Sequence, residues 1–248
     1  MSRIKLVESC DQTKKAVDHI LSHEAPVIGV TIKKNYTTGQ LVLVQVATSS
    51  GRVYIFDIKD VTNKNIMING GLHRLLQSAE VTKVMHDCRK DSAALLKQFG
   101  IHLRSVFDTQ VAYSLVLEKQ GLQGRMISLY HLAKKCSVNQ SDVCFPEEPS
   151  DCSVFWSQRP LPKDLLKTLS AEVAALCLML HGKLSAHIEN WKVMSDQCQA
   201  YTQALIKPKK GKKQNYATPR RTDVPTLQFS KDQAMLIKQS HAEGVSAI

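Results

Sequence analysis

The chain has 248 residues, 43% of them apolar, enough to bury one sizeable core with appendages. Its net charge of +11 is unevenly spread: Lys207 to Thr222 holds seven Lys or Arg and no acid, which leaves +4 for the rest and marks the tail as polyanion-binding. Seven cysteines without a CxxC or CxxH pair speak against a disulfide framework or a zinc site, and for a reducing compartment.

The first ten residues, MSRIKLVESC, lack the apolar stretch of a signal peptide, and the longest apolar run, Val173 to Leu180, is too short to span a bilayer. An intracellular, soluble protein with no membrane partner is expected. Asp11 to Ser22 places Ala16, Val17, Ile20 and Leu21 on one helical face. Pro26 ends that helix and opens a strand, VIGVTIKK. Leu41 to Ser49 and Arg52 to Ile58 read as two more strands. Their links are too short for crossovers, so the three form an antiparallel meander. A helix near Leu72 to Gln77 returns the chain to the strand at Thr82 to His86, which can then lie parallel to the first. The next helix carries Ala93, Leu95, Leu96 and Phe99 on one face, stops at Gly100, and leads to a strand around Val106 to Asp108.

A meander followed by right-handed βαβ units predicts an α/β fold with a mixed five-stranded sheet flanked by helices. Val111 to Glu118 and Ser128 to Cys136 read as further helices. Asn139 to Arg159 reads as a loop anchored by Phe155 and Trp156. From Pro162 a long helical pattern puts Leu165, Leu169, Val173, Leu176, Leu180, Leu184, Ile188 and Trp191 on one stripe, the mark of core or of a partner-helix contact. His86 reads as a packed, hydrogen-bonded histidine, since no nucleophile pairs with it.

The order H-D-x-x-K-D from His86 to Asp91, then a helix, then V-F-D-T-Q at Val106 to Gln110, resembles the second motif of the RNase D-like, DEDD-type three-prime-to-five-prime exonucleases. Its wording is similar to the exonuclease three-prime-to-five-prime domain-containing protein 1 family, linked to piRNA biogenesis, and to its relative Egalitarian. The resemblance covers residues 5 to 205 and implies an RNase H-like fold of the DEDDy group, with residues 206 to 248 as a basic, disordered tail.

The resemblance assigns Asp91 to a metal-binding aspartate, with Asp108 nearby. The first motif, Asp-x-Glu at the end of the first strand, falls here on Thr31 and Lys33. The third, Tyr-x-x-x-Asp on a helix, falls on Thr168 and Glu172, one turn apart on one helical face. Two-metal phosphodiester cleavage holds ions roughly 3.5 to 4 Å apart with several carboxylates. Lysine brings a cation to the place where a cation should bind. A pseudonuclease with no catalytic or metal-binding residues is therefore expected, its Lys33 ammonium paired with Asp91 or Asp108.

With catalysis gone, binding remains. Lys207, Lys209, Lys210, Lys212, Lys213, Arg220 and Arg221, with Tyr216 as a stacking aromatic, are the candidate contacts to single-stranded RNA. Lys83, Arg89, Lys90 and Arg125 are candidate cations beside the old groove. The resemblance further implies a homodimer, a Tudor-domain partner and a place in cytoplasmic, germline perinuclear granules; the family typically carries an Sm-like segment ahead of the domain, and none is visible here. No cofactor is expected, magnesium or manganese being needed only by two-metal chemistry. An active exoribonuclease and a purely protein-binding scaffold are the competing expectations.

Overall fold

The structure, a computed structural model, describes residues 3–22, 27–35, 37–59, 65–137, 143, 145–146 and 156–206. Ser9 opens the first helix, its hydroxyl accepting from the Gln12 amide at 3.3 Å, and α1 runs Cys10–Leu21 with Ala16, Val17 and Ile20 buried. Strands β2 (Val27–Lys34), β3 (Leu41–Thr48) and β4 (Arg52–Asp57) form the antiparallel meander. Helix α2 (Leu72–Gln77) carries the chain back. Strand β5 (Thr82–Met85) then pairs in parallel with β2, and β6 (Val106–Asp108) in parallel with β5. Between them lies α3 (Arg89–Phe99), ended by Gly100 at φ 69°, a left-handed conformation that glycine adopts without strain.

The sheet has six strands, not five. Arg3–Val7 forms β1, parallel to β4 at the edge, so the order is β1-β4-β3-β2-β5-β6. Five residues of mixed polarity bordering a short cationic terminus carry too little period-two signal to read as a strand. Among them Val7 is fully buried.

Strand alternation sorts the core. Ile28, Val30 and Ile32 of β2 pack with α1, α2 and α3 on one face. On the other face lie α4 (Thr109–Lys119), α5 (Leu129–Cys136) and α6 (Lys163–Ser185).

The long stripe expected to reach Trp191 is broken. Its positions from Leu169 to Leu184 are buried along α6, where one wide turn over Leu176–Leu180 absorbs the drift that four-residue steps accumulate. The helix stops at Ser185. Asn190 caps a new one, α7 (Trp191–Gln203), accepting from the Val193 amide at 3.1 Å, and leaves Trp191 51% exposed. By length and composition Lys163–Ser185 passes as a membrane span, which corrects the expectation that no segment is long enough. Here its apolar stripe is spent on the sheet and on α4 and α5. The five cysteines among the described residues are free.

Candidate functional site

The first-motif residues sit at the end of β2, where alternation sends Thr31 and Lys33 toward α6 and Lys34 toward α3. Thr31 lies opposite Gln45 in the ladder and donates to its side-chain oxygen at 2.7 Å. The amide nitrogen of the fully buried Gln45 has no partner among the described residues.

Lys33 is 6% exposed, and its ammonium contacts both carboxylate oxygens of Glu172 at 2.8 Å. It also lies 4.9 Å from the centre of the Trp156 ring, a cation over an aromatic face. Helix α6 can bring Glu172 so close because Gly29 has no side chain. A Cβ there would stand 2.3 Å from the Val173 carbonyl oxygen. Thr168 precedes Glu172 by one turn and is half-buried.

Lys34 pairs with Asp91, in the first turn of α3, at 2.6 Å. Burial raises the pKa of the Asp91 carboxyl, against the pull of the Lys34 and Lys33 ammonium groups. The expected partners of Lys33 are thus corrected. Glu172 takes it, Asp91 takes Lys34, and Asp108 is occupied elsewhere.

Asp108 is fully buried and caps α4. Its carboxylate accepts from the backbone amides of Asp87 at 3.0 Å, Cys88 at 2.8 Å and Gln110 at 2.9 Å. Those bonds hold Asp87 at φ 49°, a left-handed conformation uncommon outside glycine. They make Asp108 a bracket for the β5–α3 turn. Asp87 in turn grips Arg89, whose guanidinium lies 5.0 Å from the Tyr201 ring.

His86 is packed as expected. Its Nε2 lies 2.9 Å from the Ile127 carbonyl, which can only accept, so that nitrogen carries the proton and Nδ1 faces the Thr109 hydroxyl at 2.8 Å. Burial lowers its pKa, against the pull of Asp108 and Asp87, and favours the neutral ring.

The site therefore joins Lys33 to Glu172 and Lys34 to Asp91, with Thr31 two residues before Lys33 on β2 and Thr168 one turn before Glu172 on α6. Its only two carboxylates of that set each hold a lysine ammonium. Among the described residues no three His, Cys, Asp or Glu side chains are gathered to hold a metal ion. These donors do not fit a pair of divalent cations, which needs several carboxylates free of competing ammonium groups.

Lys83, expected as a groove cation, is fully buried instead, its ammonium donating to the Ser78 and Val81 carbonyls. Lys34, Gln45 and the Lys33–Trp156 contact were not singled out from sequence; the alternation of β2 was the one available signal for Lys34. Phe155, Tyr216 and the tail cations from Lys207 to Arg221 lie outside the described residues.

A family model described as 3'-5' exonuclease matches residues 6–189. The chain is similar to the piRNA biogenesis protein EXD1 of Mus musculus, 39% identical over 146 residues, covering 56% of this chain and 25% of that protein. It is also similar to the Egalitarian protein homolog of Caenorhabditis elegans, 30% identical over 218 residues, covering 80% of this chain and 37% of that protein. The chain thus spans about a quarter to under two fifths of the length of these two curated relatives. Among solved structures, Trypanosoma brucei RNase D superposes with TM-score 0.66 at 20% identity over 82% of this chain and 72% of that one. The same enzyme in complex with RNA U12 gives 0.62 at 18% identity over 95% and 79%. Both share the RNase H-like mixed sheet flanked by helices described above.

Proposed function

The chain belongs to the 3'-5' exonuclease family, and on that footing we propose that it acts as an RNA-binding adaptor in piRNA biogenesis, its nuclease site closed by its own lysines. One observation carries this reading: the Lys33 ammonium lies 2.8 Å from both oxygens of Glu172. It stands at a first-motif position, where the family's chemistry calls for an acid. A buried charge pair of this kind resists opening, because removing either ion leaves the other uncompensated. No hydrolytic step is routed through the site.

The RNA half of the reading rests on the seven cations between Lys207 and Arg221 and on the relatives' printed roles in piRNA biogenesis. Each cation that neutralises a phosphate releases a counterion, so affinity falls as salt rises. A homodimer, a Tudor-domain partner and residence in cytoplasmic germline granules belong to the same proposal and rest on the resemblance alone.

The test incubates the protein with labelled single-stranded RNA in magnesium or manganese and resolves complex and products together. Intact RNA held in a salt-sensitive complex, with Asp91→Ala making no difference to the products, is the expected result. A ladder of shortened RNA that vanishes in Asp91→Ala overturns the closed site. Intact RNA that is never retained overturns the adaptor in favour of a protein-binding scaffold.

A further inference from the structure

A second concave place lies away from the motif residues. A cleft of about 560 Å³ opens at the amino-terminal ends of β5 and β6, marked by Thr82 and Val106, and α7 lines it at every turn from Trp191 to Gln203. We propose that this cleft docks an extended, acidic segment of a partner protein, its backbone bonded to side chains of α7 and one apolar side chain laid on Trp191. The inference goes beyond the RNA-binding reading and stands whether or not the protein holds RNA.

Three observations converge on that occupant. First, Ser195, Gln199 and Gln203 line the cleft four residues apart on α7, so they form a row with a step of roughly 6 Å. An extended chain repeats every two residues, about 6.6 Å, and turns a peptide group to the same side at each repeat. Each rung carries both a donor and an acceptor, which is what a peptide backbone asks for with its N–H and C=O groups. From Trp191 to Gln203 the helix face is about 18 Å long, room for about five extended residues.

Second, Trp191 stands at one end of that row, 51% exposed, with its ring held: the centre of Phe107 lies 6.2 Å away at a tilt of 44°. A fixed, half-open indole beside buried Met194 is the kind of anchor that carries most of the energy of a protein contact. Third, the charge selects the partner. Exposed Arg104 lines the cleft, and no Asp or Glu among the described residues does. The Arg104 guanidinium also repels the buried Lys83 ammonium, so a carboxylate laid there relieves a pair of like charges. One cation beside three neutral rungs suits a chain with an uncharged backbone and a few acids. A nucleic-acid strand, charged at every residue, calls for a row of cations instead.

Anchor, row and charge separate experimentally. Random heptapeptides displayed on phage are selected against the intact protein, and the enriched sequences are synthesised with a dye and titrated into wild type, Trp191→Ala, Gln199→Ala and Arg104→Glu. A short dye-labelled single-stranded RNA is titrated alongside, and light scattering of each variant gives its oligomeric state. Because Arg104 is exposed, its charge reversal tests the cleft even if Trp191→Ala disturbs the fold.

The enriched peptides are expected to share an apolar residue flanked by Asp or Glu. Trp191→Ala weakens them by roughly tenfold or more, and Gln199→Ala by about three- to tenfold. Arg104→Glu weakens them too, and binds better the same peptides rebuilt with Lys at the acidic positions, a reversal that a purely structural role would not give. No enrichment, equal affinity across the variants, or an unreversed charge preference overturns the docking site. If the variants weaken RNA binding instead of peptide binding, the cleft belongs to nucleic acid and the proposal fails. It fails equally if Trp191→Ala turns a dimer into a monomer and leaves peptide affinity unchanged, since the cleft then seats a second copy.

Discussion

Lys33 and Lys83 are the same side chain under nearly the same burial, 6% and 0% exposed, at different ends of the sheet. Lys33 meets a carboxylate, two oxygens of Glu172 at 2.8 Å, and a Trp face. Among the described residues Lys83 meets the Ser78 carbonyl at 2.5 Å and the Val81 carbonyl at 2.8 Å, with the Arg104 charge adding repulsion. Burial and that repulsion pull the Lys83 pKa down to about 7. What decides whether a buried lysine is a fixed charge is the acid across from it. At the motif site the fold supplies that acid on α6. At the start of β5 it does not.

Removing the acid is the strongest way to break the contrast. Glu172→Ala strands the Lys33 ammonium in a buried site and is expected to destabilise the fold by ~3–5 kcal/mol. A loss of that size lowers the melting temperature by roughly 10 °C for a domain of this length. Replacing both partners, Lys33→Met with Glu172→Leu, removes charge and counter-charge together and is expected to be neutral or stabilising. Chemical denaturation of the single and double variants measures both. A single variant as stable as wild type would mean that the pair does not hold α6 to the sheet.

A smaller effect follows from moving the acid. Gly29→Ala introduces a Cβ 2.3 Å from the Val173 carbonyl oxygen, one residue from Glu172. Backbone on the receiving side cannot rotate away, so α6 must shift outward. Overpacking of this kind costs ~1–3 kcal/mol. The double variant Gly29→Ala with Glu172→Ala should cost less than the two added separately, since both weaken one contact. Additive losses would show that Gly29 serves helix packing without positioning the carboxylate.

Much of this arrangement was legible in the chain. Strand β2 reads from Val27 to Lys34 to the residue, because five apolar or β-branched positions are bounded by Pro26 and by polar residues. Of the motif positions, Lys33 and Glu172 meet across the sheet–helix contact. The partner of each charge was not legible. Alternation states that Lys33 and Lys34 leave opposite faces, but which acid waits on each face depends on how closely α6 approaches, and Gly29 settles that through a backbone contact 144 residues away in sequence. Asp108 misled for a related reason: an acid beside a site reads as a partner for Lys33 until its lone pairs are found committed to three backbone amides. Trp191 was hidden by periodicity itself, since it continues the spacing of a helix that has already ended.

The gentlest test sharpens the contrast by titrating Lys83. Its pKa is lowered from an ordinary 10.5 to about 7 in the fold, so between those values the unfolded chain binds a proton that the folded one does not. Stability must then rise with pH across that window, and the rise is complete above the unfolded value. Below about pH 7 both states are charged, and the cost of burying the ammonium is fully present. Lys83→Met removes the titration but leaves the Ser78 and Val81 carbonyls without their donor, a fixed cost that does not change with pH. The difference in melting temperature between wild type and Lys83→Met isolates the lysine from every other group that titrates in the same range. The corresponding difference in stability is expected to move in favour of wild type as pH is raised from 6 toward 10, by roughly 1.4 kcal/mol for each unit of pKa lowering. A flat difference for Lys83 would mean that it keeps its proton on carbonyl dipoles alone, and that a buried lysine here needs no carboxylate to stay charged.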